Sequence, residues 1–173
     1  EALVYFKGRW LLYYGCADSM VAVATSDARL PGEAVTEAKA TAVVDRGQPA
    51  WTLTSDQVEL VVTQRGAHTA PVTFFRKETR PVRPYYVSPW QGEARDLSSV
   101  PVLVPLRGDF FCMPFGGNGT AYRGEQHPPH GETAGSSWKL ERRTQRGPVH
   151  SLTLTLAPRV RPGRVTQTIS LVD

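Results

Sequence analysis

The run Ser151-Leu-Thr-Leu-Thr-Leu156 decides the fold. Leu152, Leu154 and Leu156 fall on one face, Thr153 and Thr155 on the other. A period of two is the mark of a half-buried antiparallel strand, with its apolar face on a core and its hydroxyls in water. Working outward, Arg164 to Leu171 and Ser137 to Arg142 carry the same character less regularly. Further back, Val58 to Val62 reads as a strand. Gln64-Arg65-Gly66-Ala67 reads as a turn, and Val72 to Phe75 as the partner strand. Arg83 to Val87 and Val100 to Val104 are predicted as further extended segments. Pro81, Pro84, Pro89, Pro101 and Pro105 lack backbone donors, which sends those segments to edges, strand ends or loops. No long helical periodicity and no internal repeat is present. The chain is predicted to be all-β, an antiparallel β-sandwich.

The first 26 residues form a separate pattern. Leu3 to Phe6, Trp10 to Gly15 and Met20 to Ser26 are three short aromatic and β-branched runs with turn residues between them. Three strands are a poor independent domain but are the unit of a propeller blade. Residues 27–48 lose the aromatic content, carry a Pro31-Gly32 turn and are predicted as a linker, with a short helix over Glu33 to Val44 as the other reading. The organisation predicted is a blade-like meander over 1–26, a linker over 27–48 and a sandwich over 49–173, incomplete at its C-terminal end.

The chain has 173 residues and a formal net charge of +4. Its arginines are scattered rather than massed, which argues against a nucleic-acid-binding arm. No apolar run approaches the roughly 18 residues that span a bilayer, so no membrane partner is expected. Cys16 and Cys112 lie far apart with no neighbouring cysteine, and are expected to be reduced, buried thiols of a cytoplasmic protein. The chain opens at Glu1 inside a strand, which leaves room for a targeting segment lost with the true N-terminus.

The chemistry concentrates between Pro101 and Trp138. Arg107 offers a planar fork of donors and Asp109 an acceptor for hydroxyls. Gly116, Gly117 and Gly119 allow close backbone approach. His130 is a candidate proton donor or acceptor, and Phe110, Phe111, Phe115, Tyr122 and Trp138 are suited to line a pocket. This set fits a sugar better than an apolar ligand. Arg107 and Asp109 read equally as an internal salt bridge, and His127, His130 and Glu132 as loop residues. As a cupin-like metal set, those last three would need His150 as well. Pro128 and Pro129 separate the two histidines on an extended backbone, unlike the helical pair of zinc hydrolases. No metal and no cofactor is expected.

Two stretches resemble known families. Gly8-Arg9-Trp10-Leu11-Leu12-Tyr13-Tyr14-Gly15-Cys16-Ala17-Asp18-Ser19, followed by Val21 to Thr25, resembles the closing blade of five-bladed-propeller glycosidases, nearest to the inverting mannoside phosphorylases. That resemblance implies that Asp18 contacts sugar; the same aspartate also suits a cap on a tight turn. The family's catalytic carboxylate belongs to earlier blades, outside this sequence.

Pro105-Leu-Arg107-Gly-Asp109-Phe-Phe-Cys112-Met-Pro114-Phe-Gly116, with His130-Gly131 eight residues before Trp138, is similar to the galactose-mutarotase-like superfamily, in its aldose 1-epimerase branch. The likeness runs from about Trp51 to Asp173, with Val58 to Phe75 as the opening hairpin. It implies that His130 is catalytic, polarising the ring oxygen or a neighbouring hydroxyl, and that Arg107, Asp109 and Trp138 bind substrate. It also implies a reaction in which a base and an acid open the pyranose so that it recloses as either anomer. The partner implied is a sugar or oligosaccharide. The family's phosphate-reading arginine falls on Ala134 and the second glycine of its Arg-Gly-Gly on Asp109. Its second histidine and glutamate base would lie beyond Asp173, so epimerase activity is expected only of a complete protein. A non-catalytic carbohydrate-binding sandwich is the alternative.

Overall fold

The computed structural model describes residues 2–6, 9–16, 20–26, 36–37, 41–93, 95–114 and 116–172, with side chains from residue 41 onward. Contacts divide the chain into two units, Glu1–Ala34 and Val35–Asp173. The first holds β1 (Ala2–Phe6), β2 (Arg9–Cys16) and β3 (Met20–Ser26), an antiparallel sheet in the order β1-β2-β3.

The second unit contains two antiparallel four-stranded sheets. One runs β5 (Thr41–Asp45), β6 (Gln48–Thr54), β7 (Val58–Thr63), β8 (Thr69–Phe74) in sequence order. The other has the order β11-β10-β9-β4, from β4 (Thr36–Glu37), β9 (Lys139–Arg146), β10 (Val149–Leu156) and β11 (Val165–Val172). The sheets pack through one apolar core. Trp51, Leu53, Leu60, Val62 and Val72 of the first meet Leu152, Leu154, Leu156 and Leu171 of the second, with Trp138 between. Leu152 and Leu154 are fully buried, each stabilising the fold by roughly 1.5–3 kcal/mol. On the solvent face of β10 and β11 the hydroxyls of Ser151 and Ser170 pair at 2.8 Å, the polar half of the alternation. The chain is an antiparallel β-sandwich, all-β as the Leu-Thr alternation requires.

Three expectations change. The stretch 27–48 contains β4 and β5, so a strand stands where a linker was expected. Its hairpin turn, Asp45-Arg46-Gly47-Gln48, has φ of 49° at Arg46 and 78° at Gly47, the twist-matched two-residue geometry. Val100 to Val104 is not extended: Pro101–Leu103 is a single 3-10 turn, because proline at its start presets a helical φ. Arg83 to Val87 is loop, tied in by isolated bridges from Val82 to Phe74 and from Val87 to Arg107. The long segment between β8 and β9 therefore lies over the sandwich as loops and carries the candidate site residues. Among the described residues, no helix is long and apolar enough to cross a membrane.

Candidate functional site

Arg107 is buried, and its guanidinium is bound within the protein. It forms an ion pair with Asp45 of β5 and donates to Gln91 Oε1 at 2.6 Å and to the Ala70 carbonyl of β8 at 3.3 Å. Since β5 and β8 are the two edges of their sheet, this one side chain ties both edges together. Burial pushes its pKa down, and the hydrogen bond and charge of Asp45 pull it back up. Arg107 is thus a clamp of the fold, and its ion-pair partner is Asp45, not Asp109. Gly108 has φ of 50°, and a Cβ there would collide with the Thr69 carbonyl, so only glycine lets the chain pass β8 at this point.

Trp138 is also removed from the site. It is fully buried in the core, donating from Nε1 to the Thr133 carbonyl at 3.0 Å. Its position directly before β9 turns the large apolar ring inward. Asp18 and Phe115 lie outside the described residues.

Asp109, Cys112 and His130 come together at the surface around Phe110. The Asp109 carboxylate accepts from the Phe110 N–H at 2.9 Å, and Thr69 holds the Asp109 carbonyl at 2.8 Å. The Phe110 ring meets His130 edge-on, with centroids 5.4 Å apart. Its face stacks on His68 at 4.2 Å. His68, which the sequence did not single out, is the pivot of this corner. It is fully buried, donating from Nε2 to the Ala134 carbonyl at 2.9 Å. Its Nδ1 accepts from the Arg107 N–H at 3.3 Å, which fixes the tautomer. Burial lowers its pKa from 6.5 to about 4, so it is neutral and serves as a rigid support.

His130 itself is exposed and sits in the left-handed region with φ of 63°. Its N–H bonds the Gly116 carbonyl at 2.8 Å, and the next residue, Gly131, has φ of 74° beside the Met113 backbone. A non-glycine residue held there costs on the order of 1–3 kcal/mol, and such strain gathers at functional sites. Cys112 Sγ lies 3.5 Å from His130 Nδ1. The thiol is exposed, not buried as expected, because the loop turns it away from the core. Local desolvation and the nearby Asp109 charge raise its pKa, which keeps it protonated and disfavours a thiolate nucleophile.

The remaining polar residues diverge. His127 is buried, its Nε2 lying 3.4 Å from Glu125. Glu132 accepts from the backbone N–H groups of Arg159 at 2.9 and 3.1 Å and of Val160 at 2.9 Å. His150 lies on β10, paired across the sheet with Leu171 and Gln145. Among the described residues, no three His, Cys, Asp or Glu side chains are placed to share a metal ion, so the cupin-like set does not assemble.

A groove of about 880 Å³ opens elsewhere, along β9 and the β10–β11 loop, lined by Arg65, Lys139, Arg159, Arg164 and Glu132 among others. Of the sequence-predicted candidates among the described residues, only Glu132 borders it. The fold is an all-β sandwich whose surface corner brings an aromatic ring, an imidazole and a carboxylate together. No protein-family model, curated protein or solved structure matches the chain.

Proposed function

We propose that the sandwich binds a neutral sugar at the corner formed by Asp109, Phe110 and His130, as the sugar-holding part of an aldose 1-epimerase-like protein. The observation that carries this reading is the strained, exposed His130 packed edge-on against Phe110, with the Asp109 carboxylate fixed at the Phe110 N–H. An imidazole, a carboxylate and an apolar ring edge are the groups that hold a pyranose: two partners for hydroxyls and one for the C–H face. His130 is exposed, and its imidazole is the kind of side chain that can act as an acid at the ring oxygen in ring opening. His68 and Arg107 are positioning residues. The buried Arg107 N–H fixes the neutral His68 ring, and that ring supports Phe110.

The test is an NMR titration of the chain with glucose, galactose and mannose, wild type beside His130→Ala, with α/β anomer exchange followed in the same samples. Saturable shifts at Asp109, Phe111 and Cys112 that disappear in the variant support binding at this corner. Acceleration of exchange that also disappears makes His130 catalytic, and binding without acceleration leaves a carbohydrate-binding module. Absence of shifts at this corner overturns the reading.

A further inference from the structure

The groove beside β9 is a second surface with its own chemistry. Four cationic side chains line it, from three separate segments. Arg65 follows β7, Lys139 opens β9, and Arg159 and Arg164 share the β10–β11 loop. Glu132 is the acidic residue of the wall, and its carboxylate is occupied by the amides of Arg159 and Val160. Arg164 is paired with Glu141 at 2.8 Å, and Arg65 Nε donates to the Gly135 carbonyl at 2.9 Å. Lys139 Nζ and the Arg159 guanidinium are both exposed and have no ion-pair partner among the described residues. Like charges gathered around one concavity repel, and an anion entering it relieves that repulsion in a setting less screened than open surface.

We propose that this groove binds the oxyanion of a small polyhydroxylated acid, a sugar carrying a carboxylate, sulfate or phosphate. The volume of about 880 Å³ lies in the range of small-molecule sites. The Ser136, Ser137 and Thr155 side chains in the lining supply hydroxyls for a hydroxylated ring. The lining includes no aromatic residue, so it lacks the stacking platform on which single-stranded nucleic acids bind. One wall is set by acidic clasps. Glu132 holds the amides at 159–160, and Glu125 pairs with Arg161 at 2.7 Å, docking the β10–β11 loop onto the segment before β9.

Calorimetric titration of the intact chain with sodium sulfate, glucuronate, glucose 6-phosphate and glucose tests this, with Lys139→Gln/Arg159→Gln beside wild type. Both replaced side chains are exposed, so the variant folds, which its unfolding midpoint verifies. The expectation is saturable binding of at least one anionic sugar, at least tenfold tighter than glucose and at least tenfold weaker in the variant. Comparison of glucuronate with glucose 6-phosphate identifies the oxyanion. Binding that ignores the two substitutions, equal affinity for glucose, or no saturable binding of any anion overturns the proposal. The proposed neutral-sugar site is read by His130→Ala, which leaves the groove unchanged, so either proposal can fail without the other.

Discussion

The corner at Phe110 and the groove beside β9 are built in opposite ways. Most of the corner comes from one continuous segment, residues 107–131, and a buried histidine and a buried arginine stand behind it. The groove draws four charges from segments up to about a hundred residues apart, and their guanidinium and ammonium groups stay near solvent. A contiguous site can be read along a chain, whereas a dispersed one exists only after the sheets have brought its parts together. The two also differ in what they ask of a ligand: the corner offers an aromatic ring with an imidazole and a carboxylate, the groove offers charge.

That difference can be broken from the corner's side first. Replacing Arg107 by methionine leaves Asp45 and Gln91 without their partner across the sheet edges, and is expected to cost about 3–5 kcal/mol, measured by urea unfolding. A loss below about 1 kcal/mol would show that the clamp is not structural. Acid is the next lever. His68 is neutral when folded, with a pKa of about 4 against 6.5 when unfolded, so the unfolded chain binds the extra proton in between. Its contribution to stability is therefore fully present above pH 6.5 and falls as pH drops to about 4, by about 3 kcal/mol in all. Proton NMR of the His68 ring checks the midpoint directly, and a midpoint above 6 contradicts the support role.

On the groove's side, Glu132→Gln removes the charge from the clasp on the Arg159 and Val160 amides. It is expected to cost about 1–2 kcal/mol and to increase hydrogen exchange in the loop 157–164. The smallest expected effect separates strain from stability at the corner. His130→Gly relieves the left-handed backbone and is expected to raise stability by up to about 1 kcal/mol while abolishing sugar binding. A destabilised variant would mean that the imidazole serves packing instead.

The sandwich was legible where a single residue pattern reports a single environment. The Leu-Thr alternation of β10 gave its two faces correctly, and the strands of the β7–β8 hairpin showed in VELVV and VTFF. β5 was missed because its own outward positions are exposed and its Ala-rich flank hid the Arg46-Gly47 turn, which lies between TAVV and WTLT. Arg107 and Trp138 turn out to be buried for a shared reason. Residue type reports what a side chain can do, and burial decides whether it meets a ligand or a neighbour, here Asp45 and the core. His68 gave no local signal, since its role depends on Phe110 and Arg107, some forty residues later. The groove escaped notice because its cations look scattered along the chain.

The most direct test of the account is the amide NMR map of the chain titrated with a neutral aldose, wild type against His130→Ala. The account predicts saturable shifts clustered at Asp109, Phe111, Cys112 and His130, absent in the variant, with Lys139 and Arg159 unmoved. Shifts centred on Lys139 and Arg159, or the same shifts in both proteins, would contradict it.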